Sequence, residues 1–472
     1  MRLGSTHMKK SSGHLLAFAV VVAAAVPLTG QAQEFFRDYG TSRSSDGIGL
    51  VEPSDYSYQD TSPSGLAPLR PGQELTSVEQ AEESDKYNFA LGPVRFAIAV
   101  GFGVEYNDNI TLAETGRESD FIFRPSLNLA ATWRLSDLNT LHFNVGLSYA
   151  FYDKNSQYDT GLISPNTDLA LTVFTGPVKW TIRDRVSYQE DAYQIPVLSN
   201  VAVYRRWENQ GGIQGDWAIN QNVDVTLGYD HYNLWASGDV FDLQDRSIDT
   251  IFLKPAVKIS PAVKLGVNAS YSFIGFTDSD RSSGDGILAG PFIDWQISDV
   301  TNMHLEGGYQ QLAFRGPSFY EEAEISQLGL SAAETAAVKG ILEDDSNANT
   351  YYIKFELDNK PSENFQHRLF FSKTAEIGFV SNYYNLYHVE YSADWKCLPH
   401  MDFGPSVFYE YYSTSGPIGE DAYRIGATLG LRYHFSNSVT LGLDYRYLYK
   451  QSNLVDANYY QNLVFLSLYY KF

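Results

Sequence analysis

The sequence is poor in the groups that would fix most kinds of site. One cysteine, Cys397, stands among 472 residues, which excludes an intrachain disulfide framework and any multi-cysteine metal centre. Its surroundings read as those of an inert turn residue. Charged residues make up only 19% of the chain, and bases are the scarcer sign, 34 Lys and Arg against 56 Asp and Glu. A formal charge of -22 leaves no basic face with which to displace counterions from phosphates, so nucleic acid is excluded as a partner. The histidines show no repeated metal spacing. Long apolar runs are also missing: the run Leu15 to Leu28 covers 14 residues, whereas a spanning helix needs about 20.

What the chain does have is aromatic residues, 15% of the total with 34 Tyr, a density that suits a boundary between water and an apolar phase. Met8-Lys9-Lys10, the apolar run and the small residues Gly30-Gln31-Ala32 read together as an export signal over residues 1–32. Residues 33–90 are rich in Ser, Pro, Gly and acid without sustained periodicity, and read as a flexible acidic periplasmic segment. Folding of this lead into a packed plug is the alternative, and its small apolar content opposes it.

From Val94 the pattern becomes strict alternation. Val94, Phe96, Ile98, Val100, Phe102, Val104 and Tyr106 are apolar, while the residues between them are small or charged. Period two means a strand with one apolar face. The same grammar recurs in Leu141–Phe151, Val263–Phe273 and Val439–Tyr449. Short connections such as Ser136–Asn139 and Ser436–Ser438 alternate with long ones, among them residues 107–118, 190–204 and 316–348. The expected fold over residues 91–472 is therefore all-β: a transmembrane antiparallel up-and-down β-barrel of about 18 strands, with short periplasmic turns and long outer loops.

Tryptophan gives an independent check. Trp133, Trp180, Trp217, Trp295 and Trp395 lie beside short turns on the apolar parity, and Tyr106, Tyr149, Tyr188, Tyr229, Tyr271, Tyr387 and Tyr409 lie near long loops on the same parity. Two aromatic girdles imply a bilayer between them. A soluble β-sandwich or propeller would have to expose or pair these belts. The last strand ends on Phe472, expected at the periplasmic edge as a signal to the barrel-assembly machinery. The surrounding phase is expected to be the lipid and lipopolysaccharide of a Gram-negative outer membrane.

The opposite parity then faces a lumen. Candidate pore-lining residues are Arg95, Glu105, Arg124, Arg134, Arg183, Arg185, Lys254, Lys258, Glu306, Lys354, Glu356, Arg368, Glu390, Arg424, Arg432, Asp444 and Arg446. Such a mixture cannot pack as an apolar core, and a barrel of about 18 strands is too wide for side chains alone to fill. Charges of both signs suit polar solutes, although a lattice of structural ion pairs is an equal reading. Tyr152, Phe252, Phe408 and Tyr412 on the same face offer rings that could stack on sugars. In the longest loop Ser331 and Glu334 form a capping box for a short helix, which either constricts the pore or lies over the rim.

Catalysis is not expected. Asp230-His231 is one acid-histidine neighbour worth weighing, but successive strand residues point to opposite faces, and no serine or second acid stands beside them. No cofactor or metal is expected.

Glu105-Tyr106-Asn107-Asp108-Asn109-Ile110-Thr111-Leu112 resembles the opening of the beta-barrel porin-2 family, where a first strand runs into a similar Asp-Asn motif. The resemblance would cover about residues 91–472. It implies an outer-membrane channel, with some relatives associated with exopolysaccharide export and hence with polysaccharide-export components as partners. No functional residues are carried over. The competing expectation is a non-transporting barrel that acts as a surface scaffold or adhesin through its acidic loops.

Overall fold

The computed structural model describes residue 87 and residues 89–318, 343–379, 381–417 and 419–472. The export signal, nearly all of the acidic lead and the helix expected around Ser331 lie outside the described residues.

Alternation builds one continuous meander. Its first half is β1 (Phe89–Leu91), β2 (Val94–Asn107), β3 (Asp120–Arg134), β4 (Thr140–Tyr152), β5 (Thr160–Ile163), β6 (Asp168–Thr175), β7 (Val178–Gln189), β8 (Arg206–Asn220), β9 (Val223–Ala236) and β10 (Arg246–Ser260). Its second half is β11 (Val263–Phe276), β12 (Gly284–Ser298), β13 (Thr301–Phe314), β14 (Ala348–Ser362), β15 (Phe365–Ile377), β16 (Tyr383–Leu398), β17 (Met401–Thr414), β18 (Asp421–His434), β19 (Val439–Ser452) and β20 (Tyr459–Lys471). β5 and β6 both pair with β4 and with β7, so they form one interrupted position in the wall. β1 is a short extension against the start of β2. With these two allowances the wall is a closed antiparallel barrel of 18 strands.

Closure is made by β20 pairing back on β2, from Ala99↔Lys471 to Asn107↔Leu463. Two inward-facing glycines fix how closely this seam can pack. A Cβ on Gly103 would stand 2.3 Å from the Phe465 ring, and one on Gly101 would stand 2.5 Å from the Tyr469 ring and the Ser126 hydroxyl. The rings lie over the glycines and leave no room for a side chain.

At the periplasmic ends the turns are tight. Register shifts at Ala218/Asn220, Lys258/Ser260, Gln296/Ser298, Asn359/Ser362 and Lys396/Leu398 place an irregularity just before a short turn. Such bulges add the local twist that lets a strand reverse in few residues.

The exterior is apolar. Phe102, Leu227 and Ile251 are each more than half exposed, and the five turn-side tryptophans all face outward. Tyr106, Tyr149, Tyr229, Tyr271 and Tyr409 are exposed at the other end, while Tyr188 and Tyr387 are half-buried. A soluble sandwich is thereby excluded: the sheet closes on itself, and its apolar face points out. The cylinder spans the cell outer membrane.

Candidate functional site: a strapped lumen

All the charged residues expected to line the pore project from the inward parity of their strands. Arg124 donates from Nε to Glu105 at 2.9 Å and stands 3.6 Å from Glu190. Arg183 pairs with Asp230 at 2.8 Å, Arg368 with Glu356 at 2.8 Å and Arg432 with Asp444 at 2.7 Å. Lys258 shares Asp224 with Lys264. Lys254 lies 4.5 Å over the Phe292 ring, and Glu306 accepts from Asn268 and Tyr352 at 2.8 Å each. Arg185 donates to Gln210. Glu390 stands 3.5 Å from His388, which is also 3.0 Å from Glu410, and Glu410 in turn holds Arg424. Arg446 sits 3.5 Å from the Tyr193 ring centroid. Arg95, Arg134, Lys254, Lys258, Glu356, Arg368 and Glu390 are half-buried and Arg185 is exposed, whereas Glu105, Arg124, Glu306, Lys354, Arg424 and Asp444 are buried in the wall network. Ion pairing and lumen lining thus coexist on one face.

The feature that organises this face is the loop of residues 190–205, which leaves β7 and returns into β8. It folds inward and is tied to β17, β18 and β19, which lie across the ring from its own strands. Arg424 Nη1 donates to the Tyr193 carbonyl at 2.7 Å, and the Tyr412 hydroxyl donates to the Pro196 carbonyl at 3.0 Å. Lys450 Nζ donates to the Val197 carbonyl at 3.1 Å and to Ser199 Oγ at 3.0 Å. Ser199 donates to the Ala457 carbonyl at 2.9 Å, and the Asn200 amide donates to the Asp456 carbonyl at 2.7 Å. The loop is a strap across the outer lumen.

Apolar packing holds the strap beneath its polar ties. Ala192, Ile195, Leu198 and Tyr204 are buried with Leu112, Phe379, Leu448 and Tyr459. Tyr204 meets Phe241 and Phe379 edge-on, at 5.0 and 5.2 Å between centroids. Gln244 and Arg281 donate to the carbonyls of Phe379 and Gly378, drawing the β15–β16 loop to the same point. Leu112, Asn200 and Asp456 all adopt left-handed backbone conformations, with φ of 51°, 58° and 58°. The three meet where the strap is pinned, because the Asn200 N–H donates to the Leu112 carbonyl and its side chain to Asp456. Local strain is held here by the surrounding contacts.

Glu190 begins the strap and is 2% exposed. It accepts from the Tyr152 hydroxyl at 3.0 Å. Burial pushes its carboxyl up to about 7, with Asp191 adding to the shift and Arg124, Tyr152 and Arg205 opposing it.

Several expectations change. The four aromatics read as sugar platforms are engaged in packing: Phe252 covers Gly228, Phe408 covers Gly426, Tyr412 holds the strap and Tyr152 holds Glu190. Asp230 and His231 diverge, the first inward to Arg183 and the second outward to Asp249. Among the described residues no group of three or more His, Cys, Asp and Glu is placed to hold a metal. The long loop of residues 316–348 is visible only at its stem, where Ser318 and Asp344 form an antiparallel bridge and Asp344 accepts from Asn382 and Ser415. Its expected role as constriction or rim lies outside the described residues.

Residues 190–205 were legible only as a long connection. The signal that marks them is the apolar stretch Ile195-Pro196-Val197-Leu198 within an otherwise polar loop set. The Glu105–Leu112 motif also acquires a physical meaning. Asn109 is fully buried, donating to the Ala113 and Tyr460 carbonyls at 2.9 Å, while Asp108 accepts from the backbone and side chain of Asn462 at 2.7 Å. It is a clasp between the first and last strands.

No family model matches the sequence, and no curated relative matches it. Among solved structures, the chain is similar to OpdK of Pseudomonas aeruginosa crystallised with vanillate, at 10% identity and a TM-score of 0.43 over 80% of this chain and 99% of that one. It is similar to OccK2 (OpdF) of the same organism in complex with glucuronate, at 10% identity and a TM-score of 0.44 over 81% and 99%. OccAB1 of Acinetobacter baumannii gives 12% identity and a TM-score of 0.44 over 82% and 99%.

Proposed function

We propose that the chain is an outer-membrane channel for polar solutes whose outer vestibule is narrowed by the strap of residues 190–205. The observation that carries this reading is the inward wall. It holds charges of both signs on a closed cylinder with an apolar exterior, and the element crossing it is anchored by polar ties that can be broken without opening the wall. Candidate pore-lining residues on this reading are the half-buried and exposed ones, Arg95, Arg134, Arg183, Arg185, Lys254, Lys258, Glu356, Arg368, Glu390, Arg432 and Arg446. The buried members of the set brace the wall.

Within polar solutes we place saccharides, including exopolysaccharide on export, as the resemblance to the beta-barrel porin-2 family implies. Recognition would then rest mainly on hydroxyl contacts to the mixed charges, since Tyr152, Phe252 and Tyr412 are buried and only Phe408 of the four rings is half-buried. The barrel-assembly machinery would read Phe472, which is 60% exposed at the end of β20.

Purified protein in a planar bilayer should give stable single-channel conductance, and liposomes containing it should swell in neutral oligosaccharide. A folded barrel that is consistently silent would refute the channel and leave the scaffold or adhesin reading. Conductance without sugar-driven swelling would refute the saccharide class alone.

A further inference from the structure

Near the outer rim β15 leaves the wall. Its ladder with β14 runs from Ser362↔Phe365 up to Ile353↔Lys373 and stops there. Yet β14 reaches Ala348 with only β13 beside it, and β15 reaches Ile377 with only β16 beside it. Above Lys373 the β15–β16 hairpin bends into the lumen. Ala375 and Ile377 are fully buried there with Ile248, Ile274 and Leu312, inward side chains of β10, β11 and β13. The tip beyond them is tied to Gln244 and Arg281 through the Phe379 and Gly378 carbonyls, and Phe379 meets Tyr204 of the strap.

Side chains replace the ladder on both edges of this parting. Gln310 of β13 donates to the Ala375 carbonyl and accepts from the Ala375 N–H, both at 2.8 Å, so its amide stands in for a neighbouring strand. Lys373 Nζ donates to the Tyr351 carbonyl at 2.8 Å and to Asn385 Oδ1 at 3.3 Å, covering the edge of β14. The two edges still match. Continuing the register from Ile353↔Lys373 sets Tyr351 against Ala375 and Thr350 against Glu376, outward residues facing outward and lumen residues facing inward. The Tyr351 carbonyl points away from β13 and both Ala375 groups point away from β16, so these two residues would exchange backbone bonds directly. They are the groups that Lys373 and Gln310 now serve. Released, Lys373 would lie between Tyr351 and Tyr387 of the outer girdle, where an ammonium on its long stem reaches the headgroups.

We propose that the β15–β16 tip is a two-position gate, closed when folded into the lumen and open when β15 zips back onto β14. The proposal rests on the channel reading above and concerns its regulation. Both positions satisfy the Tyr351 and Ala375 backbone, one through side chains and the other through the ladder, which is what makes the element bistable. The inward position adds the apolar contacts of Ala375 and Ile377. The outward position adds backbone pairing over the last residues of β15. The swing uncovers Ile248, Ile274 and Leu312 on one side of the mouth and takes Phe379 from Tyr204, so it also loosens the strap. Asn382, at the base of the tip, donates from its N–H to Asp344 at 2.8 Å and from its side chain to the Asp344 carbonyl at 2.9 Å. Asp344 belongs to the stem of the longest loop, which places this tie on the outer face.

The test traps the open position in the full-length protein. Thr350→Cys and Glu376→Cys, in a Cys397→Ser background, fall on a lumen-facing pair whose Cα atoms would be about 4.5 Å apart in the zipped register, within disulfide reach. Under oxidant the folded barrel should lose both free thiols to maleimide labelling, and its single-channel conductance should exceed that of the same channels after reduction with dithiothreitol. Thiols that stay free in a folded barrel, or a cross-link that leaves conductance unchanged, would overturn the gate. Thiol labelling does not depend on conduction. If the wild-type barrel proved silent, the channel reading would fall, while formation of the cross-link would still support the swing and its absence would still refute it. Gln310→Leu covers the case in which the double cysteine variant does not fold. It keeps the bulk and removes the stand-in for the ladder, so open dwell times should lengthen several-fold, and dwell times equal to wild type would overturn the proposal.

Discussion

Lys450→Met should loosen the strap without opening the wall. Lys450 is fully buried and its ammonium makes three contacts: the Val197 carbonyl, Ser199 Oγ and, at 3.0 Å, Glu420. Only the first two belong to the strap. Glu420 loses its cation whether the strap is docked or released, so that loss largely cancels from the docking equilibrium. Methionine keeps the length and the apolar stem. Hydrogen bonds from charged donors contribute roughly 1.5–3 kcal/mol each, less what the ammonium regains from water on release. A net weakening of about 2–3 kcal/mol follows, and at tenfold per 1.4 kcal/mol the released fraction rises roughly 30- to 150-fold. Single-channel recording should show higher mean conductance or longer open dwell times, with heat-modifiable mobility confirming a folded barrel. A folded K450M channel with unchanged conductance and dwell times would refute the strap as the constriction.

The pH dependence should follow Glu190. Its docked carboxyl holds a proton up to about pH 7, whereas a solvated one releases it near 4.5. Docking is therefore most favourable below the lower value and weakens as pH rises through the window, by about 3 kcal/mol at most. Conductance should increase from acid to neutral pH, and Glu190→Gln should flatten the profile; a wild-type profile that falls over this range would contradict the assignment. Gly103→Val should force Phe465 off the seam and cost about 1–3 kcal/mol, read as a lower folded fraction in heat-modifiability gels. Adding Phe465→Ala should restore part of it. Glu410→Leu should leave the fully buried Arg424 guanidinium with the Tyr193 carbonyl but no carboxylate, costing about 3–5 kcal/mol. Urea unfolding of the variant against wild type measures this, and an unchanged midpoint would show the pair to be dispensable.

The wall was legible in the sequence because its cause is local. Period-two alternation, turn length and girdle tryptophans are properties of a strand and its immediate neighbours, and they placed Trp217 beside a tight turn and Val104 toward lipid without tertiary information. The strap was not legible, because nothing within residues 190–205 specifies Lys450, Tyr412 or Arg424 as partners. Those contacts join segments more than two hundred residues apart, and only closure of the ring sets them face to face. The aromatics misled for a related reason. Phe252 and Phe408 alternate inward as lumen groups should, yet whether a ring is open to solute depends on the glycine on the next strand, which alternation does not report.

The clasp and the strap share a consequence for the order of folding. Neighbouring strands of the meander can pair as soon as both exist, but the β2–β20 seam joins the two ends of the barrel sequence and bears the whole loop-closure entropy. Until it forms, β2 and β20 are open edges, and Asn109 has no Tyr460 carbonyl to hold. The strap waits on the same event. Its anchors Tyr412, Arg424 and Lys450 lie on β17–β19, near the end of the chain, and stand opposite β7 only once the cylinder exists. The strap's full set of ties thus belongs to the finished ring, and the narrowing of the cylinder is completed only after its wall.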